Sequence, residues 1–228
     1  MSVASGGEVE VSVIIPAWHD AKNLAVLMPQ LARISGIVDL IVCDASDEVE
    51  ALNLTQQFGT MFVRCTARNR GPQMNAGVIF ASANVLLFHP PDILLGPEHM
   101  KALQNAMGNP DVIGGAFHTL FGMMSLDPGK QSIFVRREAF FQLGGFTKVP
   151  FIEDIDFLRR LRRLGKTVLL DPPIRKEDRD IRPDVRKMNR QAAIFALLYK
   201  FGVTPERLQR RYDRTRSDDS LEQERAGT

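Results

Sequence analysis

Over about 80 N-terminal residues, short β-branched apolar runs alternate with stretches whose apolar positions recur at helical period. Val11-Ser12-Val13-Ile14-Ile15, closed by Pro16, predicts a buried strand. From Ala21 to Ile34 the apolar residues Leu24, Leu27, Met28, Leu31 and Ile34 keep helical spacing. A second run, Ile37 to Cys43, stops at Asp44. Helix-like sequence follows to about Phe58, and Met61-Phe62-Val63 predicts a third strand. Gly71-Pro72 opens a helix through Met74, Val78, Ile79 and Phe80, and Val85-Leu86-Leu87-Phe88 is a fourth strand.

Strands alternating with helices imply βαβ units and a mostly parallel sheet. Ligands of such sheets bind beyond the carboxyl ends of the strands. That rule selects Pro16–Asp20, Asp44–Asp47, Cys65–Arg70 and His89–Asp92. Three of these segments carry a carboxylate, and the fourth carries Arg68 and Arg70. The second half is more mixed. Helices are expected over Pro97–Met107, Glu138–Leu143 (stopped by Gly144-Gly145) and Glu153–Leu164. Strands are expected at Val112–Phe117, Gln131–Val135 and Thr167–Leu170.

Composition changes this picture little. With 44% hydrophobic and 25% charged residues in 228, the chain is an ordinary globular protein. A net charge of +2 gives no argument for nucleic acid. No apolar run approaches the roughly 20 residues that cross a bilayer. The N-terminus lacks a basic start followed by an apolar stretch, so no signal peptide is expected and the predicted location is cytoplasmic. Cys43 and Cys65 have no metal-site spacing and are expected to be reduced, half-buried thiols.

The strand-end segments resemble a known family. VSVIIPAWHDAKNL is similar to the opening strand and loop of family 2 glycosyltransferases, and LIVCDASDE to their second-strand signature. RNRGPQMNAGVIFASANVLLF resembles the Arg-x-x-Gln-Met-Asn-x-Gly block of the bacterial radical-SAM/selenodomain-associated transferase 2 subgroup. QSIFVRREAFFQLGGF, FIEDIDFLRRLRRLGK and FGVTPERLQRRY continue the likeness in order from about Val11 to Tyr212.

The resemblance implies an α/β fold of the GT-A type, a Rossmann-like, mostly parallel mixed sheet flanked by helices, with a C-terminal helical extension. The expected divisions are a nucleotide-sugar-binding catalytic domain at 10–175, a basic helical extension at 176–212 and a disordered tail at 213–228. The implied reaction is inverting transfer from a nucleotide-diphosphate sugar, UDP-sugar foremost, to an unknown hydroxyl acceptor. The implied cofactor is Mg²⁺ or Mn²⁺.

Residue by residue, the resemblance places Pro16, Ala17, Trp18, Asp20, Asp44, Arg68, Arg70, Gln73 and Asn75 at the nucleotide sugar. Asp44 would accept from a base N–H, although Asp at a strand end also suits a helix N-cap. Arg68 and Arg70 beside a helix start suit an anion, although exposed loop arginines are common. Gln73 and Asn75 suit a bracing role, since amides tie loops to backbone groups. Asp154 is the implied base, with Glu153 as its neighbour; both also complement a helix N-terminus. Asp156 could instead pair with Arg159 or Arg160.

Two departures stand out. In His89-Pro90-Pro91-Asp92, aligning Asp92 with the metal-binding aspartate puts Pro90 at the first ligand position, and proline binds no metal. His89 would face the other way along a strand. Asp92 keeps the implied metal role, with the donor diphosphate and water supplying most of the other oxygen ligands, and metal dependence is left open. Lys130 stands where the subgroup carries an acidic residue. Together these leave open a catalytically impaired nucleotide-sugar-binding protein. A dinucleotide-binding enzyme is set aside, because Pro16–Asp20 contains no glycine.

From Arg175 to Arg216 the sequence has thirteen Lys or Arg against six Asp or Glu. Ala192–Leu198 is too continuously apolar for a solvated face, so it is expected to pack on the catalytic domain or on a second subunit as a homodimer. Peripheral attachment to an anionic membrane is the sharper alternative.

Overall fold

A computed structural model describes residues 8–120, 132–175 and 183–213. Lys130 and most of the C-terminal tail lie outside these residues. In chain order the elements are β1 (Val11–Ala17), α1 (Ala21–Leu31), β2 (Ile37–Asp44), α2 (Val49–Gln57), β3 (Met61–Arg64), α3 (Arg70–Val78), β4 (Val85–Phe88) and α4 (Pro97–Met107). They continue with β5 (Val112–Leu120), β6 (Ile133–Arg136), α5 (Arg137–Gln142), α6 (Glu153–Leu164), β7 (Lys166–Arg175) and α7 (Pro183–Lys200). Residues 205–213 form a further helical segment.

One seven-stranded sheet runs in the order β3-β2-β1-β4-β6-β5-β7. β3, β2, β1 and β4 are parallel, and β6 is inserted antiparallel between β4 and β5. This is the mixed, mostly parallel sheet the alternating pattern predicts. The insertion has a functional consequence. β6 enters where β4 ends, with Phe88 opposite Ile133, so residues just before β6 share the ligand edge with those just after β4.

The final strand is longer than its apolar core suggests. β7 spans ten residues because it pairs with β5 from Val112 to Leu120 across two register shifts. The pairing skips Asp171-Pro172-Pro173, which lie in the second register shift, and resumes at Ile174 opposite Thr119. At the end of α5, Gly144 and Gly145 adopt φ of 72° and 74°, which turn the chain back toward the sheet at little steric cost.

The two faces of the sheet build two cores. Val13, Ile15, Val42 and Leu87 join Leu24, Leu27, Met28 and Leu31 of α1 and Leu103 of α4. On the opposite face, Ile14, Ile41, Cys43 and Phe88 meet Met74 and Val78 of α3 and Phe157 and Leu161 of α6. Cys43 is therefore fully buried rather than half-buried, whereas Cys65 is intermediate. A third, smaller cluster joins Phe195, Tyr199 and Leu208 of the C-terminal segment to Val149 and Ile152. The extension thus packs on the loop that leads into α6.

α3 sits unusually close to the sheet. A Cβ at Gly77 would lie 2.5 Å from Ile14 Cγ2 and 2.7 Å from Cys43 Sγ. Gly77→Ala therefore forces α3 outward and should cost about 1–3 kcal/mol in urea unfolding. An unchanged midpoint would mean the helix has more room than the structure gives it.

Candidate functional site

Arg70 is the first residue of α3, at the ligand edge of the sheet. Its place is set by a close seam with the loop before α6. Asn69 Nδ2 donates to Lys148 O at 2.6 Å, and a Cβ on Gly71 would lie 2.2 Å from Thr147 O. The seam brings Arg70 NH1 to 3.4 Å from Asp154 Oδ2 and 3.7 Å from Glu153 Oε1. Both acids sit in the first turn of α6 and are 3% and 1% exposed, Glu153 and Asp154 respectively. Buried acids need a cation or donors near them. Here the cation comes from a residue 84 positions away.

The field around Arg70 joins the two halves of the chain. Burial alone would lower its pKa, but the carboxylates of Asp154, Glu153, Asp92 and Asp20 outweigh burial and raise it. Four of the acids picked out in the sequence thus converge on one guanidinium. Glu153 is pushed up to about 7, by burial first and by Asp154 second, with Arg70 pulling it back down. Its Oε2 is buried and has no hydrogen-bond partner among the described residues.

The other candidates divide by what their side chains touch. Gln73 Nε2 donates to Ala17 O at 2.7 Å and to Cys43 O at 2.9 Å, clasping the ends of β1 and β2. Asn75 makes a reciprocal pair with Phe146, accepting from its N–H and donating to its carbonyl, both at 2.9 Å. Both amides are thus committed to backbone groups, as the bracing reading expects. Pro16 and Ala17 lie in β1, opposite Cys43 and Asp44. Asp20 closes the loop after β1 by accepting from the Trp18 N–H at 3.1 Å and from Asn23 Nδ2 at 2.8 Å. Arg68 lies over the Trp18 ring, 3.5 Å from its centroid, a cation–π stack between the loops that follow β1 and β3.

Asp44 is fully buried. It does not cap α2, whose N-cap is Glu48. Instead Asp44 accepts from the Ser46 N–H at 3.2 Å and the Ser46 hydroxyl at 2.7 Å, with Arg64 NH1 at 3.7 Å. Arg64 escaped the sequence reading, yet parallel pairing sets Asp44 opposite Arg64, and that register is the signal that finds it. Tyr199 was missed as well. Its hydroxyl donates to Asp156 Oδ1 at 2.8 Å, while Arg160 Nε donates to Asp156 Oδ2 at 2.7 Å, fixing Asp156 as a structural latch.

The segment after β4 tests for a metal. His89 is fully buried, with Nδ1 on Ser132 Oγ at 2.7 Å and Nε2 on Ile93 O at 2.9 Å. Burial lowers its pKa to about 4, and neither ring nitrogen is directed at an ion. Pro90 and Pro91 are buried and offer no ligand, which leaves half-buried Asp92. Among the described residues no three His, Cys, Asp or Glu side chains are grouped to hold an ion. Mg²⁺ is commonly held by one or two carboxylates, with water and substrate phosphates completing its shell, so these residues fit an ion shared with a diphosphate through Asp92 rather than a cage built by the protein alone.

No family model matches the sequence, and no curated protein sequence matches it. Solved structures do match the fold, which is that of the GT-A glycosyltransferases. A mannosyltransferase from Pyrobaculum calidifontis, in complex with GDP-Man and Mn²⁺, superposes with a TM-score of 0.66 at 16% identity, over 89% of this chain and 68% of its own. Glucosyl-3-phosphoglycerate synthase from Mycobacterium tuberculosis, with Mn²⁺, UDP and phosphoglyceric acid, gives 0.66 at 17% identity, over 87% and 80%. TarS 1–349 from S. aureus, in complex with UDP-GlcNAc, gives 0.64 at 14%, over 82% and 66%.

The native state keeps the Glu153 proton to about pH 7, while an unperturbed carboxyl releases it near 4.5. Ionising Glu153 therefore removes stability from the fold as pH rises between those values. Glu153→Gln should gain on the order of 2 kcal/mol over the wild type above pH 7, a gain that fades toward pH 4.5. Urea unfolding across this range measures it, and an equal difference at every pH would contradict the assignment.

Proposed function

We propose that this protein transfers a sugar from a nucleotide-diphosphate donor, UDP-sugar foremost, to a hydroxyl acceptor with inversion at the anomeric carbon. The observation that carries the reading is the convergence of Asp154, Glu153, Asp92 and Asp20 on Arg70 at the ligand edge of a GT-A sheet. The likeness to solved enzymes bound to GDP-Man, UDP and UDP-GlcNAc supports the donor class. The ordered motifs resemble those of family 2 and its radical-SAM/selenodomain-associated transferase 2 subgroup, and that resemblance supports the same reading. The catalytic domain at 10–175, the extension at 176–212 and a cytoplasmic setting belong to the same reading.

In this mechanism the acceptor oxygen attacks the anomeric carbon as the bond from that carbon to the diphosphate oxygen breaks. Asp154 takes the acceptor's proton, and the electron pair leaves with the nucleoside diphosphate. Arg70, 3.4 Å away, holds the Asp154 carboxylate in place at the start of α6. Glu153, which keeps a proton to about pH 7, is a donor for an acceptor or sugar oxygen. Arg68 and Trp18 form a cationic, aromatic pair beside the ends of β1 and β3, suited to the donor. Asp44 is the group that accepts from the base N–H. Asp92 would hold Mg²⁺ or Mn²⁺ together with the donor diphosphate and water, and the ion would supply charge neutralisation on the leaving diphosphate.

Pro90 also favours a second reading, a nucleotide-sugar-binding protein without turnover. Asp154→Asn should lower donor turnover by about 10²–10⁴-fold, while thermal shifts with UDP-, GDP- and dTDP-sugars, with and without Mn²⁺, stay as in the wild type. Equal turnover by wild type and variant would favour the binding protein. No thermal shift with any donor would end both readings.

A further inference from the structure

The described part of the C-terminal segment has two faces. Phe195 and Tyr199 are each 6% exposed and pack with Leu208 against Val149 and Ile152. Ile194, Leu197 and Phe201, spaced i, i+3 and i+7, lie on one stripe of the same helix and its end. They are 39%, 55% and 79% exposed. An apolar stripe of this kind is not the solvated back of a docked helix.

Cations are exposed at the end of this helix and on the segment that follows it. Lys200 precedes Phe201 and is exposed. In the helical segment 205–213, Leu208 faces the core while Arg207, Arg210 and Arg211 are exposed. Glu206 and Asp213 are the acidic residues of that stretch, and Gln209 Nε2 donates to Asp213 at 2.8 Å. No helix among the described residues is long and apolar enough to cross a membrane. A helix that cannot span but carries an apolar stripe beside cations suits the plane of a lipid interface. A second copy of the chain suits this face poorly, because a two-fold contact sets the same patch against itself and opposes cation to cation.

We propose that α7 and the helical segment 205–213 dock on an anionic lipid surface. Ile194, Leu197 and Phe201 enter the headgroup–acyl boundary, and Lys200, Arg207, Arg210 and Arg211 face the lipid phosphates. Binding of this kind is independent of sugar transfer.

Flotation of the full chain with phosphatidylcholine vesicles, with and without about 30% phosphatidylglycerol, tests the proposal. Retention is expected on the anionic vesicles, about tenfold above that on neutral ones, and it should fall with salt. Leu197→Ser/Phe201→Ser and, separately, Arg207→Glu/Arg210→Glu should each abolish retention with unchanged circular dichroism and melting temperature. No retention on anionic vesicles would overturn the proposal, as would equal retention on both kinds. So would light scattering that shows a dimer which Leu197→Ser/Phe201→Ser dissociates.

Discussion

A single half-buried guanidinium balances the acidic groups of this site. Arg70 lies against Asp154 and Glu153 and feels Asp92 and Asp20 besides. Two nearly inaccessible carboxylates side by side at a helix start are tolerable only if something offsets their repulsion. The N-terminus of α6 offers a partial charge for this, and Arg70 offers a full one. Glu153 shows that the compensation is incomplete, since it retains its proton to about neutral pH. Without the guanidinium, the first turn of α6 would be among the least favourable places in the fold to bury acids.

The scaffold around Arg70 is arranged at backbone level. Gly77 lets α3 lie against β1 and β2, and Gly71 lets its first turn meet the Thr147 carbonyl. Gln73 then clasps Ala17 and Cys43, and Asn75 clasps Phe146. One nine-residue helix thus holds the ends of two strands and the approach to α6. From the other side, Tyr199 and Arg160 bind Asp156, which ties the C-terminal helix to the same turn of α6. The site is rigid where chain segments from distant parts of the sequence meet.

Much of this was legible in the sequence, for definite reasons. The N-terminal strands and helices could be read because apolar period and length agree there. The ligand edge followed from the strand ends, and the acids and arginines on it could be named before any coordinates. Less was legible where neighbours outweigh local preference. β7 continues beyond Asp171-Pro172-Pro173 because β5 pairs again with Ile174 and Arg175, and β6 inserts antiparallel, which no local pattern announces. Side-chain orientation was the hardest to read. Asp44 turns inward to Ser46, and His89 turns inward to Ser132 and Ile93. Both choices depend on partners that only the assembled sheet brings near.

The central claim is that Arg70 and Asp154, 84 residues apart, form one electrostatic unit. A double-mutant cycle on unfolding free energy with Arg70→Met and Asp154→Asn tests it most directly. The account predicts a coupling of about 1–3 kcal/mol, as found for charged groups in contact. Additive effects within about 0.3 kcal/mol would place the two side chains out of each other's reach and contradict it.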